Sequence, residues 1–112
     1  MTEPRNSRLQ HVVLMRFPAE LGAEEDAELR GLLLSLPGQI AQILALRFGS
    51  ALDGSRSQGY HYLLFTEFRD TAELGTYVVH PAHQAVVRWL DAHQCQRLAF
   101  DYYVDESTDA FV

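Results

Sequence analysis

Tyr60-His61-Tyr62-Leu63-Leu64-Phe65-Thr66-Glu67-Phe68 (YHYLLFTEF) carries the strongest strand signal in the chain. β-branched and aromatic residues dominate it, and a period of two divides it into two faces. Tyr60, Tyr62, Leu64, Thr66 and Phe68 share one face, and His61, Leu63, Phe65 and Glu67 share the other. Neither face is plainly polar. A strand in an antiparallel sheet with one wet side alternates apolar and polar residues, so this one predicts a sheet covered on both sides. Leu9–Phe17 (LQHVVLMRF) repeats the pattern, with His11, Val13, Met15 and Phe17 opposite Val12, Leu14 and Arg16.

Around these two strands the remaining elements follow. After a turn at residues 18–22, Ala23–Leu36 predicts an amphipathic helix, acidic in its first turn (Glu24, Glu25, Asp26), with Leu29, Leu32, Leu33 and Leu36 as its buried stripe. Pro37-Gly38 is expected to end it. A short turn of helix at 39–42 leads to a strand at about 43–50, and residues 53–59 form a polar loop. Asp70 and Glu73 have the spacing of a capping box, which opens a helix running to about Val79. A second helix is predicted from Pro81 to about His93, with Ala82, Ala85, Val86, Trp89 and Leu90 inward, and a last strand at 97–104. The order β-α-β-β-α-α-β is that of an α+β, ferredoxin-like domain, a four-stranded antiparallel sheet with helices on one face. Two-sided strands then call for a second cover. The simplest is the same sheet face of another copy, a homodimer forming an α+β barrel with more than about 2,000 Å² buried.

The chain has 112 residues, 47% hydrophobic, with a net charge of −6 and nine basic residues, all arginine and dispersed. The length suits one domain, over residues 9–104, with a polar flexible tail at 1–8 and an acidic one at 105–112 whose Phe111 and Val112 could dock on a partner. No basic stripe predicts nucleic-acid binding, and no apolar run predicts a membrane span. The polar start lacks a signal-peptide pattern, so the expected location is cytoplasmic. The single Cys95 excludes an internal disulfide, and the five histidines lack metal-site spacing, so no metal and no cofactor are expected.

Tyr77-Val78-Val79-His80-Pro81-Ala82-His83 is the stretch with chemistry in it. Proline suits the first helical position, which makes His80 the N-cap and sets His83 in the first turn. The positive end of the helix dipole opposes protonation there, so His83 is biased toward the neutral imidazole that a general base requires. The competing structural reading leaves His80 as a cap and His83 in solvent. Arg16, Glu67 and Asp101 are a candidate ion-paired network on the barrel-facing side.

Together with His11-Val12-Val13-Leu14-Met15-Arg16-Phe17, Leu36-Pro37-Gly38-Gln39-Ile40, Gly54–Tyr60 and Phe100-Asp101-Tyr102, this heptad resembles the Dabb family, the stress-responsive dimeric α+β barrel domains, over residues 9–104. The resemblance implies the dimeric barrel. It also implies a cavity between sheet and helices that binds an apolar or aromatic small molecule. In a plant polyketide-cyclase member, the tyrosine and second histidine of the motif form an acid–base pair for cofactor-free intramolecular aldol closure. By motif, these are Tyr77 and His83, with His11 lining the same pocket. That cyclase has a histidine on its third strand where this chain has Tyr62. Met15, Phe17, Tyr62, Thr66, His80 and Trp89 are the further expected substrate-binding residues. The alternatives are a binding protein without catalysis, a cyclase-like enzyme, and a cofactor-free monooxygenase of the same superfamily.

Overall fold

The computed structural model describes residues 7–105 and 107. Of the two expected tails, only Ser7, Arg8, Asp105 and Ser107 fall within it. Arg8 already opens the first strand, while Phe111 and Val112 lie outside the described residues. The elements are β1 (Arg8–Arg16), α1 (Ala23–Leu34), α2 (Leu36–Gln39), β2 (Ala45–Ser50), β3 (Tyr62–Phe68), α3 (Thr71–Val79), α4 (Pro81–Ala92) and β4 (Gln96–Val104). The sheet has the order β2-β3-β1-β4, with every neighbouring pair antiparallel. This is the ferredoxin-like architecture the strand pattern predicts.

Two boundaries differ from the pattern. Pro37 was expected to stop the first helix, but it sits in the opening turn of α2, where a proline loses no hydrogen bond. The break falls at Ser35, whose hydroxyl donates back to the Leu32 carbonyl. Tyr60 and His61 precede β3 rather than belonging to it. The Nδ1 of His61 accepts the Phe17 N–H at 3.1 Å, holding the end of β1.

Register assigns the faces. Leu9, His11, Val13 and Met15 pair with Phe68, Thr66, Leu64 and Tyr62, and these side chains point toward the helices. Leu29 and Leu33 of α1, Leu36, Ile40, Tyr77, Val86 and Leu90 close over them as one core. On the other face Val12 and Leu14 lie beside Phe65 and Leu63, and β4 adds Leu98, Phe100 and Tyr102. Among the described residues no helix covers that side, and Phe100 is 67% exposed, Leu98 51% and Leu63 41%. The charges there are few. Arg8 pairs with Glu67 at 2.9 Å, and the Arg47 guanidinium lies 5.0 Å over the Phe65 ring.

The expected Arg16–Glu67–Asp101 network does not form. Asp101 is in register with His11 and so projects to the helix side, away from Glu67. Arg16 donates instead to the Gln58 carbonyl. It also lies against Gly59, whose φ of +84° suits a glycine, and a Cβ there would meet the guanidinium at 3.1 Å.

The second helical pair starts as the capping signals require. Asp70 accepts the Glu73 N–H at 2.9 Å, and His80 accepts the Ala82 N–H through Nδ1 at 3.0 Å, with Pro81 at the first helical position. Asp70→Ala removes an acceptor from the first turn of α3 and is expected to lower stability by about 1 kcal/mol. Urea denaturation checks this: the midpoint should fall with an unchanged slope, and an unmoved midpoint would show that the cap contributes nothing.

Candidate functional site

The site is built at the break between α3 and α4. The Val78 carbonyl lies in the last turn of α3, where no further helical N–H reaches it. Two side chains from the first turn and a half of α4 reach back to it, His83 through Nδ1 at 2.9 Å and Gln84 through Nε2 at 2.7 Å. A carbonyl can only accept, so Nδ1 of His83 carries the proton and Nε2 of the neutral ring holds a lone pair. Burial lowers the His83 pKa from its usual 6.5. The Val78 bond opposes this, and the nearby His11 and Arg97 add to the lowering.

Tyr77, on the preceding turn of α3, is 1% exposed, and its ring centroid is 4.4 Å from that of His83. Burial pushes its phenol up to about 12, so it stays protonated and able to donate. Its other ring contacts are Phe68 at 4.9 Å and His11 at 6.1 Å. His11 projects from the middle of β1 and is nearly buried. Its Nδ1 lies 2.5 Å from the Asp101 carboxylate on β4, which sets the donor on that nitrogen and leaves Nε2 as the second ring position. Asp101 is a partner the sequence reading misplaced. The β1–β4 register is the signal that finds it, and strand order is not legible from one strand's alternation.

These groups border one cavity of about 240 Å³ between the sheet and α3/α4. His11, Tyr77, His83 and Arg97 are its polar lining. Val13, Met15 and Leu64 form its floor, and Val86, Val87 and Leu90 of α4 its roof. His11, Met15, Tyr77 and His83 of the expected set thus come together, and Arg97 joins them unexpected.

Phe17, Tyr62, Thr66, His80 and Trp89, also expected to bind substrate, stand elsewhere. His80 is occupied as the cap of α4. Thr66 is fully buried, donates to the His11 carbonyl at 3.2 Å and does not line the cavity. Tyr62 stacks on Phe48 at 5.1 Å and donates to Asp26 of α1 at 2.6 Å, so its hydroxyl is held at the other end of the sheet. Burial and that bond push it up to about 12 as well. Phe17 packs in the core against Tyr62 and Trp89. Trp89 lies about 100° around α4 from Leu90 and so turns toward α1, its indole donating to Glu28 at 3.3 Å. Among the described residues no three His, Cys, Asp or Glu side chains gather as metal ligands, and no helix is long and apolar enough to cross a membrane.

The Dabb family, described as the stress responsive A/B barrel domain, matches residues 9–104. The chain belongs to the Dabb family. Among solved structures, this Dabb chain is similar to a dimeric ferredoxin-like protein from Jannaschia sp. CCS1 (28% identity, TM-score 0.72, 85% of this chain and 97% of that one). It is also similar to one from Thermobifida fusca YX (19%, 0.76, 88% and 92%). A hydroxynitrile lyase from Passiflora edulis has the same fold (14%, 0.78, 88% and 94%). No curated protein matches the chain in sequence.

The lowered His83 pKa has a consequence for stability. The unfolded chain takes up the His83 proton near pH 6.5, before the folded protein does. Between that pH and the lower folded value, stability therefore falls as pH falls. Urea unfolding above and below pH 6.5 is expected to show this loss in the wild type and less of it in His83→Gln. An identical pH slope in both would contradict the buried, neutral imidazole.

Proposed function

We propose that this Dabb protein works as a homodimer, joined through the open sheet faces. Each copy takes a small apolar or aromatic molecule into the cavity beneath α4 and performs cofactor-independent acid–base chemistry on it. The observation that carries this reading is the orientation of His83: Nδ1 is tied to Val78, and Nε2 is left as a base on a ring whose centroid lies 4.4 Å from that of the protonated Tyr77, at a largely apolar cavity.

In an aldol closure the Nε2 lone pair takes the proton from a carbon next to a carbonyl, and the electrons of that C–H bond form the enolate. The enolate carbon attacks a second carbonyl of the same molecule, forming the C–C bond. The new alkoxide takes the Tyr77 proton, and the imidazolium returns its own to the phenolate. Nothing is oxidised or reduced. Apolar walls exclude water and favour ring closure by holding the chain folded, while the phenol supplies the donor where negative charge develops. His11, fixed by Asp101, is placed to orient the second carbonyl. A similar fold in a protein named as a hydroxynitrile lyase supports an acid–base role for this architecture.

Phenylacetone, an aromatic ketone of a size to enter the cavity, tests the base directly through exchange of its benzylic hydrogens in deuterium oxide, followed by NMR. The wild type is expected to accelerate exchange, and His83→Ala to lose about 10²–10⁴-fold of that acceleration, with Tyr77→Phe intermediate and both variants folded by circular dichroism. Equal exchange by wild type and His83→Ala would reduce the cavity to a binding site.

A further inference from the structure

Among the described residues lining the cavity there is no Asp or Glu, and its polar side chains are those of His11, Tyr77, His83 and Arg97. Arg97 is the one permanent charge among them. It projects from β4 on the helix side, in register with Met15 at the cavity floor. Its Nη2 donates to Asp91 of α4 at 2.5 Å, so the guanidinium is anchored across the opening between α4 and β4. Asp91 engages one of the five N–H donors in the guanidinium plane. The carboxylates of Asp91 and Asp101, which bond lining residues, are each engaged, by Arg97 and by His11.

We infer that the cavity selects a small apolar acid, its carboxylate held by Arg97 at the mouth and its ring or short chain lying on Val13, Leu64, Val86 and Leu90. This rests on the proposed role of the cavity as the binding site and adds the chemical class of what enters it. Charge-assisted bonds to a guanidinium are about twice as strong as neutral ones and need its planar fork. The volume of about 240 Å³ equals about eight liquid waters at ~30 Å³ each, enough for one aromatic ring with a carboxylate. In that pose the carboxylate lies at the β4 side of the cavity and the remainder of the molecule runs toward Tyr77 and His83.

Benzoate and its neutral isostere benzamide distinguish the claims, with affinity read by NMR titration of the full chain. The wild type is expected to bind benzoate about tenfold or more tightly than benzamide. Arg97→Gln should remove that preference by weakening benzoate far more than benzamide, and Arg97→Lys should keep part of it. Equal binding of the two probes by the wild type would overturn the inference and leave the cavity reading intact. A benzoate preference that survives in Arg97→Gln would overturn it too, by assigning the anion to another group. Binding of neither probe would overturn the cavity reading itself.

Discussion

A four-stranded sheet has two faces, and the described residues place apolar side chains on both but helices on only one. Val12, Leu14, Leu63, Phe65, Leu98 and Phe100 line the uncovered side, with β4 exposed along nearly its whole length. Apolar area costs about 25 cal/mol per Å² when left in water, and a contiguous patch of this kind marks an association surface. The helices cannot be shared, because α1, α3 and α4 are already committed to Met15, Phe68 and the rest of the core. The solved structures this chain resembles include proteins described as dimeric.

The same economy of helices makes the cavity. α4 roofs the cavity, and β4 is the edge strand beside β1. The space between α4 and β4 is what remains, bounded by apolar residues at helical spacing above and at strand spacing below. Its polar groups occur where backbone order runs out. Val78 is a carbonyl the helix cannot satisfy, and His83 is held by satisfying it. Asp101 and Arg97 lie on the edge strand, and each takes a partner on a neighbouring element, His11 of β1 and Asp91 of α4. The site is thus a consequence of how α3 ends and where β4 lies.

Much of this was legible in the residues. Period-two alternation assigned the faces of β1 and β3, and the Asp70 and His80-Pro81 signals located the starts of α3 and α4, because caps and alternation are local physics. The approach of Tyr77 to His83 follows from six residues spanning one helix break. What local pattern could not show was which strand lies beside which. Asp101 therefore seemed to belong with Glu67 and Arg16, and Arg97 drew no attention. Tyr62 and Trp89 have the right chemistry for a binding wall, and each was claimed by α1, Tyr62 by Asp26 and Trp89 by Glu28. Helix-to-helix placement decides such cases, and it is set by the whole core rather than by any one segment.

The claim on which the rest depends is that the open sheet face is covered by a second copy. Sedimentation velocity at micromolar concentration tests it most directly, with Phe100→Glu run beside the wild type. The wild type should sediment as a single species of twice the 12.7 kDa chain mass, and a charge at Phe100 should shift it toward the monomer. A wild-type chain sedimenting as a stable 12.7 kDa monomer would contradict the account.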